Sequence, residues 1–294
     1  MTLLARRRRG RDRGGRFLVP AVILLGLTSV YPTLYSLYMS LYDWNWGHRL
    51  NFVGLRNYLD LLTDTRFLGA MWNTIVFTAG AVSVELVLGL GTALVVGRLG
   101  LGRGLVRTLL LVPLMVGGMI VSVIWKVMLD PTLGVIGLVL QAAGLPRLGF
   151  LGDPHMAMLS VVMIDAWWQT AFVFIVLSAG LQALPVEPFE AAEVDGAGAW
   201  QRFRYLTLPL LRPTILVVLM FRTVDCLKVF AIIFGTTGGG PMTITESVQV
   251  LAYRMAFKQL NMSVSMTTMV VFAAFALLVL LAYQRLLPSG EEPA

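Results

Sequence analysis

Long runs of apolar residues, separated by short polar segments, follow one another along the whole chain. A helix needs about 20 apolar residues to cross the hydrocarbon core of a bilayer. By this measure the runs predict six transmembrane helices, at about 17–39, 72–96, 105–128, 156–184, 214–234 and 262–287. A shorter apolar stretch at 133–143 is too short to cross and predicts a re-entrant or interfacial helix. The pattern therefore predicts an all-α, polytopic membrane protein.

A long polar interruption lies at 185–213, between the fourth and fifth apolar runs. Prolines at its start stop the preceding helix and favour a new one, which is predicted at 190–194. Gly196 and Gly198 then break this helix, because glycine tolerates the left-handed backbone that a sharp reversal needs. The segment therefore begins with a short helix and a turn.

A second helix is predicted at 199–207, with Pro209 and Pro213 ending it. Helical spacing places three apolar side chains on one face and three polar ones on the other. The apolar set is Trp200, Phe203 and Leu206, and the polar set is Gln201, Arg202 and Arg204. The segment thus predicts a helix–turn–helix hairpin displayed between two spans.

Basic residues are distributed unevenly along the chain, which has a formal net charge of +7. Seven arginines lie within residues 1–16, directly before the first apolar run. This arrangement is typical of the cytoplasmic side of a membrane. No aromatic residues interleave the arginines for base stacking, so the tail does not indicate nucleic-acid binding. With the N-terminus inside, predicted cytoplasmic segments hold 14 lysines and arginines and external segments hold 7. The bias predicts that both termini and the hairpin are cytoplasmic.

The domain organisation follows from this topology. We expect a basic cytoplasmic tail at 1–16, a transmembrane domain at 17–287 that includes the 185–213 hairpin, and a C-terminal tail at 288–294. The first apolar run is longer than that of a signal peptide, and no small-residue cleavage site follows it. It is therefore expected to remain as a membrane anchor.

The sequence contains no pattern that indicates catalysis. His48 and His155 are isolated, and Cys226 is the only cysteine, which excludes an intrachain disulfide and a cysteine metal cluster. No glycine-rich loop is followed by Lys-Ser or Lys-Thr, so the chain lacks a P-loop for ATP phosphates. We predict that the chain is not an enzyme and carries no metal site or cofactor.

Charged residues inside the predicted spans are the strongest candidates for function, because charge is costly in a bilayer. Arg222, Asp225 and Lys228 recur every three residues in the fifth span and so share one helix face. They form either an internal ion-pair ladder or a polar wall of a transport pathway. Glu85 and Asp165 are read as lone acids with a structural role.

The hairpin sequence resembles the EAA loop of binding-protein-dependent ABC importers. That family has E-A-A, three residues and G, followed about ten residues later by an apolar residue, Leu and Pro. The corresponding residues here are Glu190, Ala191, Ala192, Gly196, Thr207, Leu208 and Pro209. Asp195 and Ala197 complete the D-G-A that is usual in the sugar-importing branch.

Further segments resemble the sugar permeases of this family, so that the likeness covers about two thirds of the chain. They are N-F-V-G-L-R-N-Y at 51–58, W-W to L-Q at 167–182, F-R-T-V-D at 221–225 and T-G-G-G-P at 237–241. One departure is that Ala231 follows Phe230, where an acidic residue often stands. The resemblance identifies the chain as a carbohydrate-uptake permease of the maltose or glycerol-phosphate type, with the type I importer architecture.

This resemblance implies a set of partners. They are a second permease subunit in a heterodimer, two ATP-binding subunits that hold ATP and Mg, an extracytoplasmic solute-binding protein, a sugar substrate and membrane lipid. The complex would lie in the bacterial inner membrane and transport by alternating access. A permease for a non-sugar solute and a secondary transporter are the alternatives, although the latter gives no reason for the EAA-type loop.

Site residues follow from the same resemblance and from sugar chemistry. Coupling to the ATPase is assigned to Glu190, Ala191, Ala192, Asp195, Gly196, Leu208 and Pro209. Sugars offer C–H faces that stack on aromatic rings and hydroxyls that need hydrogen-bond partners. The candidate pathway is therefore Trp168, Gln169, Thr170, Arg222, Asp225, Lys228 and Ser265. Ser263, Thr267 and Thr268 in the sixth span are, with Ser265, candidate pore hydroxyls. Packing between helices explains the tryptophan and these hydroxyls equally well.

Overall fold

The computed structural model of the chain describes residues 18–46 and 50–286, and the fold is predominantly helical. Both predicted tails and His48 lie outside the described residues. The helices are α1 Leu18–Met39, α2 Arg56–Thr63, α3 Thr65–Arg98, α4 Arg103–Leu111, α5 Gly118–Met128, α6 Val135–Ala142, α7 Ala157–Gln182, α8 Glu187–Val194, α9 Ala199–Arg202, α10 Leu208–Leu227, α11 Ala231–Gly235, α12 Val248–Phe257 and α13 Met262–Leu286. Strands β1 Tyr42–Asp43 and β2 Asn51–Phe52 pair antiparallel.

Four of the described helices, α1, α3, α7 and α13, are long and apolar enough to cross a membrane. They correspond to the predicted first, second, fourth and sixth spans. The short helix predicted within the loop that follows the third span is α6. The count of six spans and the orientation of the termini remain predictions.

The third predicted span is not one straight helix but two helical pieces with a sharp bend between them. Arg103–Met115 and Gly118–Met128 are bent by 96° at the residues between them. A 3-10 turn begins at Pro113, and Val116 and Gly117 then adopt extended backbone angles. Proline cannot donate the backbone hydrogen bond that would continue the helix, which accounts for a break here.

The fifth predicted span was misplaced at both ends. The prolines at 209 and 213 do not end the hairpin, because α9 continues through a π-helical turn, Phe203–Thr207, directly into α10. The wider π turn lies just before Pro209, where a regular α-helix would press the ring against a carbonyl. At the other end α10 stops at Leu227, and α11 starts only at Ala231. The second helix of the hairpin therefore forms one continuous helical segment with Arg222 and Asp225.

The described residues divide into two compact units, 65–251 with 272–286 and 18–64 with 252–271. In the larger unit α3 and α7 cross closely at small residues. A Cβ on Gly89 would lie 2.5 Å from Cγ1 of Val173, and one on Gly80 would lie 3.3 Å from Val162. Gly91, on the same helix, differs, because a Cβ there would meet nothing within 4 Å among the described residues.

Gly89 and Gly91 provide a test of the close contact between α3 and α7. Gly89→Ala is expected to lower the free energy of unfolding by about 1–3 kcal/mol, because overpacking forces the two helices apart. Gly91→Ala is the matched control and should match the native protein in a thermal unfolding assay. Equal melting temperatures for the two variants would show that the crossing is not tightly packed.

In the smaller unit the segment 51–58, which resembles sugar permeases, contacts the end of α1. The side-chain amide of Asn57 donates to the carbonyl oxygens of Ser40 at 2.9 Å and Tyr42 at 2.8 Å. The hydroxyl of Tyr58 lies 2.5 Å from that of Ser40. The N-Y of the 51–58 match therefore stabilises the chain where α1 ends.

The hydroxyls predicted for the pathway in the sixth span also bind backbone. The hydroxyl of Ser265 is buried and donates to the carbonyl oxygen of Ala252 at 2.8 Å. Ser263 accepts from the backbone N–H of Trp44 at 2.8 Å, and Thr267 and Thr268 each donate to a carbonyl four residues earlier. In this structure each of these hydroxyls has a backbone hydrogen-bond partner.

Candidate functional site

A buried arginine on α10 joins three helices through carboxylates. Arg222 is 2% exposed. Its guanidinium binds Glu85 of α3 through two nitrogens, with Nη2 2.7 Å from Oε1, and Nη2 also lies 2.8 Å from Oδ2 of Asp165 on α7. Nη1 donates to Asp225, one turn further along α10. The two acids that were read as lone are therefore partners of Arg222, and that reading was wrong.

The predicted ladder on α10 is only partly formed. Arg222 and Asp225 make an ion pair, but no ion pair of Lys228 is present among the described residues. Lys228 instead stands at the C-terminal cap of α10. The ladder thus consists of the Arg222–Asp225 pair alone, and the ammonium group of Lys228 is available to bind a ligand.

Glu85, Asp165 and Cys226 also bring three potential metal ligands within 4.8 Å of one another. Arg222 Nη2 donates to all three side chains, including the sulfur of Cys226 at 3.1 Å. The guanidinium therefore already supplies the positive charge and the donors that these groups need. The set is better described as an ion-pair cluster than as a metal centre.

A cavity of about 500 Å³ lies beside the open side of this cluster. Its lining combines two aromatic rings with polar groups, namely Gln169, Phe172, Met220, Phe221, Arg222, Val224, Asp225, Lys228 and Leu280. The side chain of Asp225 is 59% exposed, in contrast to Arg222. The cavity thus presents a carboxylate acceptor, an ammonium donor and an amide that does both. These groups suit a ligand with many hydroxyls and apolar C–H faces.

A smaller cavity of about 300 Å³ shares Gln169, Asp225 and Lys228 with the first and extends to Trp168 and Ala231. Trp168 also has a structural function, since its indole N–H donates to the carbonyl of Val116 at 2.9 Å, in the break between α4 and α5. Both alternatives considered for this tryptophan therefore find support.

Thr170 is placed differently from its neighbours. Its hydroxyl oxygen is buried and has no hydrogen-bond partner among the described residues. It is also absent from the lining of both cavities beside α10. Of the three residues predicted on α7, the structure brings Trp168 and Gln169 to a cavity.

The short first helix and the turn of the hairpin form as predicted, and the turn has a defined hydrogen-bond pattern. Gly196 has φ +79°. Its N–H donates to the carbonyl of Glu193 at 3.1 Å, and the N–H of Ala197 donates to that of Ala192 at 2.8 Å. This is the Schellman pattern, which satisfies the last carbonyls of a helix and favours glycine at the left-handed position. The three residues between E-A-A and G in the motif thus place the glycine directly after the end of the helix.

The surface of the hairpin is mostly open. Glu190, Ala191, Asp195, Gly196 and Pro209 are exposed, while Ala192 and Leu208 are half-buried. Arg202 Nη1 lies 2.8 Å from Glu193 Oε2, which ties the second helix to the first. The rings of Trp200 and Phe203 are 5.5 Å apart, on the predicted apolar face. A rigid, exposed turn of this kind is suited to docking another protein.

A further ion pair, which the sequence did not predict, lies at the glycine-rich loop after α11. Glu246 is 1% exposed and accepts from Arg66 at 2.9 and 3.0 Å. The amide of Asn73 donates to the carbonyls of Thr243 at 2.8 Å and Glu246 at 3.3 Å. The sequence feature that could have indicated this ion pair is an acidic residue close to the T-G-G-G-P segment. These contacts fix the loop to the start of α3.

Comparison with known proteins covers both the cluster and the hairpin. The family model for binding-protein-dependent transport system inner membrane components matches residues 85–289. The chain belongs to this family. The match begins at Glu85 and contains every candidate site residue named above, so the predicted identity as an ABC importer permease subunit is confirmed.

Relatives of this permease are similar over almost their whole length. The trehalose/maltose transport system permease protein MalF of Thermococcus litoralis is 35% identical over 91% of this chain and 92% of its own. The trehalose transport system permease protein SugA of Mycobacterium tuberculosis is 34% identical over 93% of this chain and 89% of its own. Both are named as permeases rather than as enzymes.

A solved structure shares the fold of this permease. It is a bacterial ABC transporter involved in the import of the acidic polysaccharide alginate, with a TM-score of 0.84, 22% identity and coverage of 96% of this chain and 97% of its own. The broken α4–α5 pair and the helix that continues from the hairpin are thus set within an importer permease fold.

Proposed function

We propose that this permease moves a sugar or related polyol into the cell, with ATP hydrolysed on a separate subunit. The observation that carries the proposal is the cavity beside α10, where Asp225, Lys228 and Gln169 face the same space as two phenylalanine rings. Hydroxyls can bind the polar groups while C–H faces lie against the rings. The names of the relatives, which specify trehalose and maltose, support the same class of substrate.

Energy coupling is proposed to pass through the hairpin. The helical segment from Ala199 to Leu227 is continuous, so it carries the hairpin at one end and Asp225 of the cavity wall at the other. A displacement of the hairpin by an ATPase subunit would therefore move the cavity wall directly. This supports alternating access, in which ATP binding opens the cavity outward and hydrolysis returns it inward.

The proposed assembly contains this chain, a second permease subunit and two ATP-binding subunits, in the inner membrane of a bacterium. ATP and Mg would be bound by the ATPase subunits, and a solute-binding protein would deliver the sugar from outside. A periplasmic protein bound to an alginate pentasaccharide accompanies a related transporter of the same fold, which supports this last partner. Nucleic acid has no part in the proposal.

Affinity co-purification of this chain from its native membrane, followed by mass spectrometry, tests the assembly. Recovery of a P-loop ATPase together with a second permease would support the proposal. Recovery of this chain alone, folded and without an ATPase, would overturn it in favour of a secondary transporter.

Asp225→Asn tests the cavity. We expect the KM for sugar uptake to rise by about tenfold or more, because a hydrogen bond to a charged group contributes about 1.5–3 kcal/mol. The amount of protein in the membrane should be unchanged, since Arg222 keeps two other carboxylates. Asp165→Asn is the comparison, because Asp165 is 4% exposed and its loss should lower protein abundance instead. An unchanged KM with lower abundance for Asp225→Asn would assign Asp225 to structure alone.

A further inference from the structure

A pocket of about 660 Å³ lies between the C-terminal end of α3 and the hairpin. It is distinct from the cavities beside α10. Its lining is Leu94, Arg98, Phe189, Ala199, Trp200, Arg202, Phe203 and Thr207. Three aromatic rings and a leucine thus form a mostly apolar wall, and two guanidinium groups share the same space.

The sequence of α3 sets the depth of this pocket in the membrane. From residue 75 to residue 96 the helix has 22 residues, of which Glu85 alone is charged, and Glu85 is paired internally. At about 1.5 Å per residue this stretch is about 33 Å long, which matches the hydrocarbon thickness of about 30 Å. Arg98 follows two residues later and therefore lies at the level of the lipid headgroups. The pocket sits at the boundary between headgroups and acyl chains.

The charged residues that line the pocket are both arginines. Arg202 is paired with Glu193 at 2.8 Å, whereas no ion pair of Arg98 is present within the described ranges. Arg103, in the first turn of α4 just beyond Arg98, has an enclosed Nε with no hydrogen-bond partner among the described residues. A buried donor without a partner is costly. The lining therefore holds one guanidinium group, that of Arg98, that no carboxylate pairs with among the described residues.

We propose that the pocket binds an anionic phospholipid. Its phosphate would accept from Arg98, and an acyl chain would lie against Leu94, Phe189 and Phe203. Basic pockets at the membrane surface are suited to acidic headgroups, and tryptophan favours the same interface. A soluble phosphate would satisfy the arginine but leave the apolar wall uncovered, so a lipid is the better occupant. Such a lipid contacts both α3 and the hairpin, and so links the hairpin to the composition of the membrane.

Native mass spectrometry of the purified full-length chain tests this proposal. The probes are phosphatidylglycerol and phosphatidylcholine with identical acyl chains, titrated onto delipidated protein. We expect phosphatidylglycerol to bind preferentially, and Arg98→Gln to weaken its binding by about fivefold, the equivalent of about 1 kcal/mol per basic side chain near a membrane surface. Arg56→Gln is the control and should bind like the native chain, since Arg56 is exposed on α2 and pairs with Asp60.

Three outcomes would overturn the proposal. They are equal binding of the two lipids, equal binding by the native chain and Arg98→Gln, and displacement of phosphatidylglycerol by inorganic phosphate at millimolar concentration. The last would assign the site to a free anion. Size-exclusion chromatography of each variant establishes that folding is intact, which is expected because Arg98 is exposed.

Discussion

Replacing Arg222 with methionine is expected to lower the free energy of unfolding by about 3–5 kcal/mol, the usual effect of removing one partner of a buried ion pair. Methionine keeps an unbranched apolar stem at this position, but Glu85 and Asp165 are left as buried carboxylates without a cation. Both are less than 5% exposed. We expect most of the chain to be lost from the membrane fraction and the remainder to unfold at lower temperature in detergent.

The matched control restores neutrality without restoring the arginine. Arg222→Met combined with Glu85→Gln and Asp165→Asn removes the unpaired charges and should recover much of the folded protein, because replacing a whole buried ionic group costs far less than breaking it. If Arg222→Met alone is as stable as the native chain, the cluster does not hold the three helices together.

Gly196→Pro is expected to reduce transport to background while the protein still inserts into the membrane. Gly196 has φ +79°, whereas proline is restricted to about −65°. The substitution also removes the N–H that donates to Glu193. A cost of about 3 kcal/mol corresponds to a change of more than a hundredfold in the population of the native turn. Sugar uptake by membrane vesicles, together with co-purification of the ATPase, measures the effect.

Gly198→Ala is the control for this experiment. Gly198 has an ordinary φ of −68°, and a Cβ there would meet only the side-chain oxygen of Gln201, at 3.7 Å. It should transport normally and retain the ATPase. Normal transport by Gly196→Pro would show that the shape of this turn is not needed for coupling.

The sequence predicted the elements whose signals are local. Apolar runs located α1, α3, α7 and α13, and the spacing of Glu190 and Gly196 located the end of α8. Hydropathy could not locate the 96° bend before α5, because the residues on both sides of it are apolar. It also could not show that Pro209 lies within a continuous helix, since a π turn leaves no apolar signature.

The same distinction applies to the site. The pairing of Arg222 with Asp225 follows from helical spacing and was predicted as one alternative. Glu85 is 137 residues from Arg222 and Asp165 is 57, so only tertiary packing brings them together. The pair of Arg66 and Glu246, 180 residues apart, was missed for the same reason. A single charged residue in a predicted span therefore indicates that a partner exists, but the sequence does not show which residue it is.

The division of charges around α10 has a consequence for how such permeases diversify. One group is enclosed and links three helices, and it consists of Arg222, Glu85 and Asp165. A second group faces the cavity and contributes less to helix packing, and it consists of Asp225, Lys228 and Gln169. Under the function proposed above, substitutions among the second group are expected to alter the transported solute without an accompanying loss of folding. Selection for a new solute would then act on the residues that line the cavity, while the packing of the helices is retained.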